Sequence, residues 1–272
     1  MTQSIRWLQY EIADRMLQKL DIVKLQAKDI LIIPDFPGVH TSFLRNRFPK
    51  ASLHTAPELR MTAVEAYRYK ASRMLDAVLS FFRFGSTVSL DSYRKTGKLD
   101  LPDNSIDLIF SDLFLQDLPD PRHFLKECWR VLREGGLLTF SYLGPDTGKE
   151  LKSIDWPKEY FLKNLLSPWD MHDLGDALIG EGFSDPVMDM EFINLTYESD
   201  ATALTDAKNL GLIQAPSNSA TSSILPKLSD RLTLEVVYGH AWAIGKHLAK
   251  AQDHVAYIDL NQIQRKSGRD PA

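Results

Sequence analysis

The sequence predicts an α/β domain built on a mostly parallel sheet, because strand-like and helix-like segments alternate over residues 1–143. The strand-like segments are short apolar runs rich in β-branched residues, which are typical of strands buried on both faces of a parallel sheet. Between them, apolar residues recur every three or four positions, as in amphipathic helices. Such alternation places helices on both faces of the sheet. The predicted strands are residues 29–33, 51–55, 86–90, 106–112 and 136–143, and the helices between and before them are 5–20, 40–48 and 58–82.

The helix that follows residue 119 has the strongest signals in the chain. Asp120 suits the N-cap, Pro121 suits the first helical position, and Gly135 with Gly136 predicts the end of the helix. The remaining strand, 136–143, then closes this half of the sequence.

The second half has a different pattern. Residues 144–170 read as a loop with one short helix near Tyr160, and Asp170 with Asp173 predicts the start of another helix. Two long strands follow at 187–197 and 233–244. We therefore expect a single domain over residues 1–248, with a cofactor-binding half at 1–143 and a substrate-side half at 144–248. The polar segment 249–272 reads as a disordered tail.

Composition excludes several classes of protein. A hydrophobic content of 44% and a charged content of 25% are those of a globular domain, not a disordered chain. The net charge of −4 argues against nucleic acid as a partner. Cys128 is the single cysteine, so neither an internal disulfide nor a cysteine-based zinc site is expected. Glu11 and Asp14 interrupt the N-terminal apolar stretch, and no apolar run is long enough for a membrane span, so we expect a cytoplasmic protein without a membrane partner.

Two segments carry a resemblance to a known family. Residues 101–151, which end in GPDTGKEL, and residues 170–197, which include DPVMDMEFINLTY, are followed by LEVVYGHAW at 234–242. Together they resemble the class I S-adenosylmethionine-dependent methyltransferases, and more narrowly the malonyl-[acyl-carrier protein] O-methyltransferases of biotin synthesis. The resemblance implies a Rossmann-like fold whose seven-stranded, mostly parallel sheet ends in an antiparallel pair of C-terminal strands.

The activity that the resemblance implies is methylation of the free carboxylate of a malonyl thioester on acyl-carrier protein, with S-adenosylmethionine as the cofactor. That carboxylate is already ionised at neutral pH, so the reaction needs no general base and no metal. A catalytically inactive protein with the same fold, acting as a binding or assembly partner, is the alternative. A nicotinamide-dependent oxidoreductase is disfavoured because no Gly-x-Gly-x-x-Gly follows the first strand.

The resemblance also implies a cofactor site whose glycine-rich loop is replaced. Relatives carry an acidic residue and then a Gly-x-Gly-x-Gly loop, whereas this chain has Ile32, Pro34 and Phe36 at the acidic and first two glycine positions and keeps only Gly38. His54 occupies the position of the acidic residue that grips the ribose. Losing two carboxylates costs about 3–6 kcal/mol, or about 10²- to 10⁴-fold in affinity, so weakened or lost cofactor binding is predicted.

The other predicted site residues follow from the same resemblance. Asp91 matches the acidic residue near the adenine, and the segment Ser111, Asp112 and Leu113 matches the one beside the reacting methyl group. His172 and Lys208 match positions on the substrate side, where Lys208 is the preferred cation for the malonyl carboxylate or for the carrier's phosphate. Each has an ordinary alternative: a turn histidine for His54, a cap for Asp112, an exposed helix-start histidine for His172 and a solvated lysine for Lys208.

Overall fold

The fold is a mixed sheet covered by helices on both faces. The structure, a computed structural model, describes residues 3–35, 39–57, 85–156, 161–162, 169–214 and 230–246, together with isolated positions at 67, 71 and 74. The helices are α1 (Gln3–Lys19), α2 (Val39–Arg47), α3 (Leu90–Thr96), α4 (Pro121–Val131), α5 (Met171–Gly180) and α6 (Asp200–Asn209). The strands are β1 (Asp29–Asp35), β2 (Ser52–Pro57), β3 (Ile106–Ser111), β4 (Leu132–Leu143), β5 (Phe161–Leu162), β6 (Ser184–Thr196), β7 (Ile213–Gln214) and β8 (Arg231–Ala243).

Six of these strands form the main sheet, in the order β2-β1-β3-β4-β8-β6. The four strands from β2 to β4 pair in parallel, and β8 pairs antiparallel with both β4 and β6. The prediction of a mostly parallel sheet with an antiparallel C-terminal pair is therefore confirmed. Strands β5 and β7 form a separate two-stranded ribbon.

The predicted strand at 86–90 is the exception, and the main sheet has six strands among the described residues where seven were predicted. Thr87 makes a single parallel bridge to Thr55 of β2. The chain turns into α3 directly afterwards, because the Ser89 hydroxyl caps that helix by accepting a hydrogen bond from the Ser92 N–H at 3.1 Å. Residue 87 thus lies where a seventh strand would begin, but the cap ends the extended stretch.

Helix α4 begins as predicted but ends early. Asp120 accepts a hydrogen bond from the Arg122 N–H at 3.0 Å, and Pro121 is the first helical residue. The prediction that the glycine pair ends the helix is wrong, because Leu132 already pairs with Ile106 in the sheet. Gly135, at φ 76°, lies inside β4 at the irregularity where that strand carries extra residues relative to β3.

The predicted start of α5 is confirmed. The Asp170 carboxylate accepts hydrogen bonds from the N–H groups of His172 and Asp173, at 2.7 and 2.8 Å. Asp173 returns the contact to the backbone of Asp170, which completes a capping box.

Each face of the sheet has its own apolar core, and the two sets alternate along the strands. Helices α1, α2 and α6 cover the first face, where Ile30 and Ile32 of β1 point. Helices α3, α4 and α5 cover the second face, where Leu31 and Ile33 point. Among the helices described, none combines the length and apolarity needed to cross a bilayer.

The predicted helix at 58–82 lies almost entirely outside the described residues. The short helix near Tyr160 and the tail from residue 249 also lie outside them.

Candidate active site

Polar side chains converge where the parallel strands β1, β3 and β4 end. Asp35 is the last residue of β1, Asp112 directly follows β3, and Ser141 lies near the end of β4. His40 reaches the same place from the first turn of α2. All four residues are fully buried. Ligands of open α/β sheets bind at the carboxyl ends of the strands, so this edge is the candidate ligand-binding site.

These four side chains form a cluster, which we call the carboxyl-edge cluster (Asp35, His40, Asp112 and Ser141), and hydrogen bonds join the last three of them. The Asp112 carboxylate accepts from His40 Nε2 at 2.8 Å and from Ser141 Oγ at 2.5 Å. The other ring nitrogen, His40 Nδ1, lies 3.8 Å from Asp35 Oδ1. A hydrogen bond of 2.9 Å from the Thr41 hydroxyl reaches the second oxygen of Asp35. One imidazole ring therefore joins the ends of two strands.

Leu113 adds a strained backbone to this edge. Its φ of 52° lies in the left-handed region, which costs a residue with a side chain about 1–2 kcal/mol. Its N–H lies 3.1 Å from both the carbonyl and the hydroxyl oxygen of Ser141, and its carbonyl accepts from Gln116 Nε2 at 2.9 Å. Such conformations persist when the surroundings fix them, and they concentrate at functional sites.

The structure therefore brings together three of the predicted cofactor residues: Ser111, Asp112 and Leu113. Ser111 is fully buried, and its hydroxyl makes no hydrogen bond within the described part of the chain. Gly38 and Phe36 lie outside the described residues, whereas Ile32 and Pro34 are buried within β1.

His54 and Asp91 lie apart from this cluster. His54 is the third residue of β2, and its Nδ1 lies 2.9 Å from the Ser86 hydroxyl. Its Nε2 lies 3.4 Å from Asp29, the first residue of β1, so the ring leans toward the opposite edge of the sheet. Asp91 is exposed in the first turn of α3. The ribose and adenine roles of these residues remain predictions.

The two predicted substrate residues lie on helices that cover opposite faces of the sheet. His172 is exposed in the first turn of α5, on the second face. Lys208 is half-buried in the last turn of α6, on the first face. Their roles also remain predictions.

The segment GPDTGKEL (144–151), which follows β4, is fixed to the start of β8. Thr233 and Glu235 of β8 hold it through backbone and side-chain bonds, including a 2.6 Å bond from the Asp146 N–H to the Glu235 carboxylate. Gly144 lies close to that carboxylate group, because a Cβ there would be 2.5 Å from Glu235 Cδ and the glutamate would have to shift. Burial acts to raise the pKa of Glu150, but hydrogen bonds from Thr233 outweigh it and lower that pKa below its usual value. These contacts hold the loop against β8 at the carboxyl edge.

Sequence reasoning missed Asp35, His40, Ser141 and Gln116. Asp35 stands three positions beyond the expected acidic position, inside the replaced loop. A signal was present nonetheless, because polar residues that follow neighbouring parallel strands must meet at one edge. His40 carried no such signal, since its contact with Asp112 spans 72 positions of sequence.

A separate cleft of about 840 Å³ lies at the opposite, amino edge of the sheet. Its lining includes Lys28 and Asp29 at the start of β1 and Ser52 at the start of β2. Because this cleft is at the far ends of the strands from the cluster, it is distinct from the predicted methyl-donor site.

The amino-acid sequence is similar to that of one family of known proteins. A family model described as a methyltransferase domain matches residues 88–140. The malonyl-[acyl-carrier protein] O-methyltransferase of Laribacter hongkongensis is 35% identical over 254 residues, covering 86% of this chain and 82% of that protein. The enzyme of the same name from Nitrosospira multiformis is 32% identical over 260 residues, with the same coverages. The chain belongs to the malonyl-[acyl-carrier protein] O-methyltransferase family.

Solved structures agree at the level of the fold. A putative methyltransferase from Bacillus halodurans superposes with a TM-score of 0.57 at 12% identity, covering 86% of this chain and 99% of that one. The predicted Rossmann-like methyltransferase fold is thereby confirmed, and family membership confirms the prediction of an S-adenosylmethionine-dependent O-methyltransferase.

The described edge matches the cationic end of S-adenosylmethionine in charge. The carboxylates of Asp35 and Asp112 would suit its sulfonium and ammonium groups, and the Ser111 hydroxyl has no hydrogen bond among the described residues, but all three side chains are fully buried. Within the described strand β2, no carboxylate follows His54 to hold the ribose. No group of three or more potential metal ligands occurs among the residues that the structure describes.

Proposed function

We propose that this chain transfers the methyl group of S-adenosylmethionine to the free carboxylate of a malonyl thioester carried by acyl-carrier protein, the step that this family performs in biotin synthesis. The observation that carries the proposal is the similarity to relatives of that name, which spans 82–89% of their length at 30–35% identity. The strained Leu113 and the buried carboxylates, at the edge where this fold binds its cofactor, support it.

Methyl transfer to a carboxylate requires the protein to align the two reactants, but it does not require a general acid or a general base. The cofactor supplies a methyl group on a sulfonium, whose S–CH₃ bond breaks as a carboxylate oxygen forms the new O–CH₃ bond, with the electron pair remaining on sulfur. Because a malonyl carboxylate is ionised at neutral pH, no proton has to be moved. Alignment of the reacting atoms and exclusion of water supply the rate enhancement.

Charge at the carboxyl edge favours a cationic ligand. The carboxyl-edge cluster contains two carboxyl groups and one imidazole, so its acidic groups outnumber its basic one. Asp35 and Asp112 are fully buried, so water screens this charge weakly. We assign Ser111, Asp112 and Leu113 to the region next to the sulfonium, and keep Gly38, His54 and Asp91 as candidates for the rest of the cofactor.

The substrate's own charge requires a cation, and Lys208 is the candidate, with His172 as a second polar contact. We expect Lys208→Ala to raise KM for malonyl-[acyl-carrier protein] about 10-fold or more with little change in kcat, because a hydrogen bond to a charged group contributes about 1.5–3 kcal/mol. Lys126→Ala removes an exposed lysine from α4 and is the matched control. Equal KM values for the two variants would remove Lys208 from the site.

The decisive assay follows the purified chain with malonyl-[acyl-carrier protein] and S-adenosylmethionine by mass spectrometry. We expect the carrier to gain one methyl group in place of a proton. Acetyl-[acyl-carrier protein] is the matched control, because it lacks the free carboxylate and must remain unmodified. If the malonyl carrier also remained unmodified, methyl transfer would be wrong and the predicted alternative, a catalytically inactive binding partner, would take its place. We expect the reaction in the cytoplasm.

A further inference from the structure

His40 is the central member of the carboxyl-edge cluster. Its ring is fully buried, contacts Asp112 through one nitrogen and faces Asp35 through the other. The 2.8 Å contact between Nε2 and the Asp112 carboxyl group is a hydrogen bond that either tautomer of the ring is able to share. A side chain that merely filled space between β1, β3 and α2 would be apolar, because burying an imidazole is costly unless its polar atoms find partners.

We propose that His40 is a positioning residue, which holds the Asp112 carboxylate and, through Ser141, the left-handed backbone of Leu113 in the arrangement that receives the methyl donor. The proposal rests on the cofactor of the proposed function but not on its acceptor. It assigns a role to a residue outside the segment of Ser111, Asp112 and Leu113.

The connection from His40 to Leu113 runs through three contacts. His40 holds one oxygen of Asp112, and the Ser141 hydroxyl donates to the other at 2.5 Å. The same hydroxyl oxygen accepts the Leu113 N–H at 3.1 Å. Because Asp112 has a partner on each oxygen, its carboxylate has one orientation, and that orientation fixes which way the Ser141 hydroxyl points. Removing the ring frees one end of this chain of contacts, and the strained Leu113 is then free to relax.

Three variants test the proposal. His40→Leu removes the hydrogen-bond donor at similar volume, and His40→Gln keeps an N–H that is able to reach Asp112. His240→Leu is the matched control: His240 is also buried in this sheet, at 6% exposure, but lies on β8 outside the cluster. Each variant is checked for folding by circular dichroism and then titrated calorimetrically with S-adenosylmethionine in the absence of carrier protein.

We expect His40→Leu to weaken S-adenosylmethionine binding at least 10-fold, His40→Gln to stay within about 3-fold of the wild type, and His240→Leu to leave the affinity unchanged. In nuclear magnetic resonance spectra of the ligand-free protein, the chemical shift of the Leu113 amide should change in His40→Leu and not in His240→Leu. A merely structural role would shift no resonance at Leu113, or would leave His40→Gln binding as weakly as His40→Leu, and either result would overturn the proposal.

If His40→Leu fails to fold, the double variant His40→Leu with Asp112→Asn removes the buried charge that the single variant leaves without its donor. We then expect the double variant to bind no more weakly than Asp112→Asn alone, because His40 acts through Asp112. Further weakening in the double variant contradicts the proposal.

The wild type also separates this proposal from the proposed function. If the wild type bound the cofactor but did not methylate the malonyl carrier, the proposed function would be wrong and the His40 test would still apply. Absence of cofactor binding in the wild type would end both.

Discussion

The two edges of the sheet carry similar groups in opposite surroundings. At the amino edge, Asp29 and Asp107 near the starts of β1 and β3 bind Arg133, with N–O distances of 2.9 and 2.7 Å. At the carboxyl edge, Asp35 and Asp112 at the ends of the same strands face His40. The Arg133 side chain is 38% exposed, whereas the three carboxyl-edge side chains are fully buried.

The difference in exposure indicates which of the two clusters is screened by water and which is not. Burial acts to raise the pKa of Asp107, but hydrogen bonds from Arg133 and from the backbone outweigh it and hold that pKa below its usual value. Water screens this half-exposed network, so its contribution to stability is modest. The fully buried carboxyl-edge cluster has no such screening, so removing one of its partners is expected to cost more stability.

Breaking the buried cluster should have the largest effect. We expect His40→Leu to lower the free energy of unfolding by about 3–5 kcal/mol, because a buried carboxylate loses its partner. Urea denaturation of the variant and the wild type at neutral pH measures the difference. A loss below about 1 kcal/mol would show that the carboxyl edge contributes no more to stability than the amino edge, and would contradict the comparison.

His240, which is buried on β8 outside the carboxyl-edge cluster, provides a comparison with His40. Burial, and secondarily the charge of Lys19, lowers the pKa of His240 from 6.5 to about 4. The unfolded chain therefore binds a proton more readily, so stability is complete above pH 6.5 and falls as the pH decreases toward about 4, by about 3 kcal/mol.

The variant His240→Leu should flatten this part of the pH profile, which thermal unfolding between pH 7 and pH 4 records. Titration of surface carboxylates affects both proteins alike, so the difference between their profiles isolates His240. Parallel profiles would show that the ring is accessible to protons in the native state.

Ser141→Ala tests the link between the cluster and Leu113 and should have an intermediate effect. It removes the donor to Asp112 and one of two acceptors of the Leu113 N–H, for an expected loss of about 1–3 kcal/mol. The matched control is Thr139→Val, because the Thr139 hydroxyl is buried two positions earlier on β4 without a hydrogen bond to the described residues. We expect the control to be nearly neutral or stabilising, and a loss equal to that of Ser141→Ala would contradict the link.

The amino edge should give the smallest effect, and that effect should depend on salt. We expect Arg133→Met to cost about 1 kcal/mol or less at low ionic strength, and less again in 1 M NaCl, because exposed charges are screened. Denaturation at the two salt concentrations provides the comparison. A large, salt-independent loss would show that this edge is as tightly coupled as the other.

Local sequence signals predicted the elements more accurately than the contacts between them. The cap at Asp120, the capping box at Asp170 and the apolar run that became β1 are local patterns, and the structure contains all three. Residues 86–90 failed because the helix cap at Ser89 competes with strand formation, which composition alone does not reveal.

The candidate site was predicted only in part for the same physical reason. Ser111, Asp112 and Leu113 are contiguous and follow a strand, so a motif sufficed to find them. Asp35 and His40 matter through contacts across the sheet edge, and the sharp turn of Leu113 appears only in the backbone angles. The family resemblance identified the missing glycines, but it did not indicate that Asp35 and His40 would lie at the same carboxyl edge.

The central claim is that the buried carboxyl edge is the methyl-donor site and the half-exposed amino edge is not. Calorimetric titration of S-adenosylmethionine into the wild type, His40→Leu and Arg133→Met tests it most directly. We predict saturable binding by the wild type, at least 10-fold weaker binding by His40→Leu, and an affinity for Arg133→Met within about 2-fold of the wild type. Equal losses in the two variants, or no binding by the folded wild type, would contradict the claim.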